Sequence, residues 1–224
     1  MKLVIRIGGS VVASPLNPKL IGEYADLLTE LKSEGHELVV VVGGGKAARL
    51  YVQAAKELDL PEKEQDLVAI FVTRLVAWLL ARKLGEKTCE KIPETIEDAE
   101  KCLKRNRIVV MGGLKPGMTT DTVAALLAQK LKADMLIKAT NQDGIYTMDP
   151  KKHPEAKLLE NIKFEDLDKI FEKAEHEAGI HQILDPEATK ILKKTRMKTV
   201  VLNGYNPKNI LKAVKGEKIG TTIQ

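Results

Sequence analysis

The chain reads as an α/β protein built around a buried, mainly parallel sheet, and two features of its 224 residues predict this. Short continuous apolar runs alternate with longer amphipathic stretches, as strands covered on both faces alternate with helices. Three of those runs end in paired or tripled glycines, so their turns are expected to gather at the carboxyl edge of the sheet, where open α/β folds bind ligands.

Taken in order, Leu3–Ile7 is the first strand and stops at Gly8 and Gly9. A helix follows over Lys19–Glu34, then a valine-rich strand at Leu38–Val42. Helices are expected at Ala47–Leu58 and Gln65–Leu84, the second halted by Gly85 just beyond its end. Thr95–Arg105 reads helical, Ile108–Met111 is a third strand, and Thr120–Leu131 a helix capped by Thr119 or Thr120. Met135–Ala139 is the fourth strand and Thr199–Leu202 the fifth, with helices at Phe164–Phe171, Pro186–Lys194 and Pro207–Val214. Turn-rich sequence replaces tight alternation after about residue 138. One domain is therefore expected, with an N-terminal lobe over 1–138 and a C-terminal lobe over 139–224 on one continuous sheet.

Composition narrows the function. Hydrophobic residues are 44% and charged residues 30%, enough for a core inside a charged surface. No apolar run approaches the roughly 20 residues of a membrane helix, and MKLVIRIGGS reaches glycines too soon for a signal-peptide core, so a cytoplasmic protein with no membrane partner is expected. The net charge of +5 suits an anionic ligand. Aromatics at 4% do not provide the stacking platform of a single-strand binder, so no nucleic-acid partner is expected. Cys89 and Cys102 lack metal-ligand spacing and are expected to be reduced thiols; no metal site is expected from side chains alone.

Four motifs carry the chemistry. In IRIGGS, Gly8, Gly9 and Ser10 form either a tight turn or a backbone cradle for an anion. LVVVVGGGKAAR, Leu38–Arg49, satisfies a dinucleotide-binding glycine pattern literally, but it follows the second strand, and the acids about 20 residues on open a helix. Without those features it still offers glycine amides and a helix N-terminus to a phosphate, with Arg49 one turn further. VVMGGLKPGMTTDTVAALLA places a loop between two glycines and a helix with Asp121 in its first turn. KATNQDGIYTMDP, Lys138–Pro150, reads as a hairpin, or as a nucleobase pocket that uses its polar groups and the Tyr146 ring.

In this order the motifs resemble the amino acid kinase family, and within it the archaeal-type uridylate kinases. IGGS, VVGGGKAAR, the helix from Asp66 to Thr73-Arg74, MGG-x-x-PG-x-TTD, ATN-x-DG-x-Y-x-x-DP, AG followed by LDP-x-A-x-K-I, and GTTI span nearly the whole chain. The resemblance implies a three-layer αβα sandwich, a homohexamer, and transfer of phosphate from ATP to UMP with Mg²⁺. It implies UMP contacts at Gly44, Asp66, Arg74 and the loop Leu114, Lys115, Pro116, Gly117, Met118, Thr119 and Thr120. It implies ATP contacts at Gly9, Ser10, Gly45, Arg49, Thr140, Asn141, Tyr146 and Asp149. Arg6 and Asp185 are the catalytic candidates. Asp185-Pro186 is also a good helix cap, and Lys190 one turn on reads as a solvated lysine.

Two positions depart from the family pattern. Arg6 stands where many relatives carry lysine, and Val76 where relatives commonly carry asparagine in TR-x-N-A. Kinases of isopentenyl phosphate or N-acetylglutamate are the rivals on the same fold. A lipid-like tail would want a greasier acceptor pocket, and isopentenyl phosphate kinases carry a histidine that this glycine helix lacks. A non-catalytic storage protein and a dinucleotide-dependent oxidoreductase are the rivals from other classes.

Overall fold

A computed structural model describes residues 1–167 and 184–224. Its strands are Lys2–Ile7 (β1), Glu37–Val42 (β2), Val109–Met111 (β3), Met135–Thr140 (β4), Asn161–Ile162 (β5), Thr199–Asn203 (β6) and Thr221–Ile223 (β7). They form one sheet in the order β3-β2-β1-β4-β6-β7-β5, parallel everywhere except between β6 and β7. The chain builds outward from β1 to β3, then returns to β1's other side with β4. The β1/β4 boundary is therefore the topological switch point, where open sheets leave a crevice at their carboxyl ends.

The α-helices among the described residues are Gly9–Val12 (α1), Pro18–Ser33 (α2), Gly45–Glu57 (α3), Glu62–Leu84 (α4), Ile96–Lys104 (α5), Thr120–Leu131 (α6), Pro186–Thr195 (α7) and Lys208–Val214 (α8). Alternate strand residues face two separate cores. Leu3, Ile5 and Ile7 pack with α2, α4 and α8, while Val4, Val39 and Leu136 pack with α5, α6 and α7. That period of two makes the molecule an αβα sandwich. Caps fix the helix starts: Asn17, Thr95, Thr119 and Asp185 each accept a backbone N–H from three residues on.

All five expected strands form, to within a residue at each end. β5 and β7 have two and three residues, too few to show a period in sequence. Ile108 bridges Thr88 instead of extending β3. Helix α1 starts directly at Gly9, where the sequence leaves a tight turn and an anion cradle both open. Phe164–Asp166 is a single 3₁₀ turn, and the expected helix beyond Leu167 lies outside the described residues, as does the AG of the LDP motif. The segment after β4 does fold back on itself, Thr147 N–H donating to the Lys157 carbonyl and Leu159 N–H to that of Ile145. No helix among the described residues is long and apolar enough to cross a membrane.

The cysteines need a correction. Cys89 and Cys102 are joined in a disulfide, their Cα atoms 5.9 Å apart. Helix α5 puts Cys102 on its buried face, and the segment leaving α4 passes over it. Thirteen residues of sequence separation carry no motif that could signal this meeting.

Candidate active site at the switch point

Arg6 on β1 and Lys138 on β4 are register partners across the switch point. They follow Val4 and Leu136 by two residues and so project on the α6 side of the sheet. Asp121, in the first turn of α6, meets both. Lys138 Nζ lies 2.5 Å from Asp121 Oδ2, and Arg6 Nε 2.9 Å from Oδ1. The arginine N–H is not aimed at Oδ1, so that contact is coulombic and leaves hydrogen-bonding capacity on both atoms. Arg6 also donates to Thr120 Oγ1 at 3.1 Å.

The cluster carries two positive charges against one negative. Burial pushes the Lys138 ammonium down to about 8 against the pull of Asp121. Burial also opposes the charge of Asp121, but Arg6 and Lys138 outweigh it and hold the carboxyl below its ordinary range. At neutral pH the cluster thus keeps a net positive charge at the crevice, which suits an anion.

Asp185 braces this arrangement from behind. Its Oδ1 caps α7 through Ala188 N–H and accepts from Thr122 Oγ1, both at 2.8 Å, while Oδ2 accepts from Thr119 Oγ1 at 2.6 Å. One carboxylate therefore ties the start of α7 to the start of α6. It is a cap, and it also positions the turn that carries Asp121. Lys190 is exposed, as a solvated lysine would be.

Beside the cluster, the first two glycine turns interlock. A Cβ on Gly9 would strike the backbone of Gly45, and a Cβ on Gly45, whose φ is +57°, would strike the carbonyl of Gly9. Gly44 faces the other way, toward Thr73 of α4. The expectation that the start of α3 is open to a phosphate needs narrowing. Lys46 N–H donates to Ser14 Oγ at 2.7 Å, and Ala47 N–H donates to the Ala13 carbonyl at 3.3 Å. Within these two turns, the amides of Gly9, Ser10, Gly44 and Gly45 are left without a partner among the described residues. Arg49 stands exposed one turn on, beside Pro15, Leu16 and Leu50.

Helix α4 clamps the third glycine loop. Thr73 Oγ1 donates to the Ile70 carbonyl and accepts Gly113 N–H at 2.8 Å. Arg74 Nε and Nη2 donate to the carbonyls of Gly113 and Leu114, at 3.1 and 3.2 Å. Its Nη1 pairs with Glu94 Oε2 at 2.6 Å. Asp66 Oδ2 accepts Gly117 N–H at 2.7 Å and closes the loop. Val76 turns away from this site into the core, where an asparagine would need partners.

The loop after β4 is held by the last strand. Thr221 Oγ1 accepts Ile145 N–H at 2.7 Å, and a Cβ on Gly144 would collide with that hydroxyl. Asp143 accepts from Asn203 Nδ2 at 2.8 Å and from the Tyr146 hydroxyl at 3.3 Å. A cavity of about 380 Å³ opens here, lined by Asp143, Asn203, Asn209 and Gly220 among others. Thr140 is buried, Asn141 exposed, and Asp149 shapes its own turn by accepting Lys151 N–H. No hydrogen bond among the described residues links Asp149 to the rest of the site.

The structure thus joins Arg6, Thr120 and Asp121 in one group and Asp66, Arg74, Leu114 and Gly117 in another, with Gly44 facing Thr73 of the second group and Gly45 packed on Gly9. Sequence reasoning missed Lys138 and underread Asp121. Lys138 had one available signal, a lysine inside the otherwise apolar strand MLIKAT.

Comparison with known proteins identifies the family. A model of the amino acid kinase family matches residues 1–203. The uridylate kinase of Methanococcus aeolicus is 42% identical over 225 residues, spanning 100% of this chain and 99% of that protein. That of Thermococcus kodakarensis is 41% identical over 226 residues, spanning 100% of both. The crystal structure of uridylate kinase from Archaeoglobus fulgidus matches with a TM-score of 0.90 at 40% identity, covering both chains fully. The UMP kinase of Bacillus anthracis, at 22% identity and a TM-score of 0.83, shares the fold. By the match over residues 1–203 and these full-length relatives, this chain belongs to the amino acid kinase family.

Proposed function

We propose that this protein is a uridylate kinase, transferring the γ-phosphoryl group of ATP to UMP to give UDP and ADP in pyrimidine nucleotide synthesis. The observation that carries the reading is the Arg6–Asp121–Lys138 cluster at the switch point, with glycine turns on one side and the α4 clamp on the other. A UMP phosphate oxygen attacks the γ-phosphorus as the bond to the bridging oxygen of ADP breaks. The acceptor oxygen is already anionic, so no base is needed, and catalysis rests on positioning and charge neutralisation. Arg6 and Lys138 supply the charge, Asp121 orients them, and Asp185 holds the turn beneath.

UMP belongs to the N-terminal lobe, 1–138, against Gly44, Asp66, Arg74 and loop 114–120. ATP belongs to the C-terminal lobe, 139–224, and the facing glycines, with Gly9, Ser10, Gly45 and Arg49 toward its phosphates. Its nucleoside falls to Thr140, Asn141, Tyr146, Asp149 and the adjoining cavity. The metal is Mg²⁺ carried by ATP. Asp185 is committed to two hydroxyls and a helix N–H, Asp121 spends Oδ2 on Lys138 and keeps Oδ1 beside Arg6, and no cluster of three or more His, Cys, Asp or Glu occurs among the described residues. Phosphate oxygens and water are therefore its main ligands.

The reading extends to assembly in the cytoplasm as a homohexamer. Phe71, Leu75 and Trp78 lie exposed at helical spacing on α4, a stripe that a second copy would cover. Sedimentation with Leu75→Glu against the parent chain tests it: loss of assembly is expected, and a parent chain that is already monomeric overturns it.

Coupled assays with UMP, CMP, AMP and isopentenyl phosphate test the activity. UMP is expected to be preferred, with one UDP formed per ADP. Preference for isopentenyl phosphate, or nucleotide binding with no ADP formed at saturating UMP and Mg·ATP, would overturn it.

A further inference from the structure

Arg74 is a fork with unequal prongs. Nε and Nη2 are fixed by two loop carbonyls, while Nη1 reaches only Glu94. The two partners differ in freedom. The Arg74 side chain is 18% exposed and the Glu94 side chain 64%. The backbone on either side of Glu94 is nonetheless held. Arg82 donates to the carbonyls of Cys89 and Glu90, the disulfide ties Cys89 to α5, Pro93 is buried, and Thr95 caps α5. A firmly mounted strap thus presents one solvent-exposed carboxylate to the single prong of an acceptor-side arginine that no backbone carbonyl holds.

We infer that Glu94 is a positioning residue, a displaceable counter-ion that occupies Arg74 until the phosphate of the acceptor nucleotide takes its place. The inference rests on the uridylate kinase reading above and adds to it a residue outside the glycine motifs. A phosphate at Nη1 finds Arg74 already aimed, because the loop carbonyls hold the rest of the guanidinium. It also meets the Glu94 charge, which must swing into solvent before the phosphate can settle. A dianionic phosphate competes for Nη1 better than a carboxylate with one charge, so the exchange favours phosphorylated acceptors.

The test is Glu94→Gln, which keeps the shape and removes the charge. UMP affinity is measured by calorimetry at low and high salt, and kcat and KM by the coupled assay. The variant is expected to bind UMP about 3-fold more tightly at low salt, the scale of a partly exposed ion pair. That gain should shrink at high salt, while KM falls and kcat holds. Unchanged or weaker UMP binding would overturn the inference, as would a gain indifferent to salt. If the parent enzyme makes UDP normally, such a result sinks the counter-ion alone. If the parent chain binds no UMP, both readings fall.

Discussion

Arg6 and Lys138 reach Asp121 from neighbouring strands, whereas Arg74 reaches Glu94 across a loop from the exposed flank of α4. The side chains of the first group are 16%, 4% and 14% exposed; Glu94 in the second is 64% exposed. Both pair arginine with a carboxylate, yet they do different work. In the buried cluster the fold itself sets the geometry, because β1 and β4 pair in the sheet and α6 packs its apolar face against it. In the clamp, two of the three Arg74 contacts are backbone carbonyls, and the charged one is free to exchange. Burial fixes where a charged group sits, and exposure lets its partner change.

The sharpest way to break the comparison is Asp121→Asn. It leaves two buried cations sharing no carboxylate, which costs about 3–5 kcal/mol in urea unfolding. Turnover should fall by roughly 100-fold or more, as for a lost electrostatic group. A variant of parent-like stability would mean the cluster is wetter than its burial implies.

Next comes pH. Lys138 holds its proton to about 8 in the fold and to an ordinary 10.5 in the unfolded chain. Between those values the unfolded state binds more protons, so this group's contribution to stability rises with pH. Activity moves the opposite way, because a neutral amine balances no phosphate charge. The kcat/KM for UMP should decline above about pH 8, and Lys138→Met should remove that limb along with most of the turnover. Asp121, held below the ordinary carboxylate range, contributes stability above that range that is lost as pH falls through its folded value.

Two smaller effects belong to the clamp. Replacing Cys89 and Cys102 by serine frees the strap and should lower stability by about 3 kcal/mol, for a loop of 13 residues. Thr73→Val leaves Gly113 N–H unpartnered in a buried setting and should cost about 1–3 kcal/mol, with a raised KM for UMP. A raised kcat in either variant would contradict the assignment of this region to binding.

The sequence showed what is local. Apolar runs marked five strands, the glycines ending three of them marked three turns, and Asp185-Pro186 announced its own cap. Pairings across the sheet were hidden. Nothing near Lys138 says that its neighbour is β1 and its register partner Arg6; that follows only from the order in which strands assemble. Asp121 looked like an ordinary first-turn acid, since its role depends on where α6 points. The disulfide escaped notice because α5 and the strap meet by packing. β5 and β7 escaped because strands so short carry no period, although Thr221 anchors the loop after β4.

The interlocked glycines bear on redesign. Because Gly9 and Gly45 each exclude a side chain on the other through main-chain atoms, no second substitution can rescue a change at either one. The two positions form a fixed joint in sequence space. A protein engineer seeking a new acceptor would leave that joint intact and vary the α4 face and the loop it clamps, where side chains can trade places.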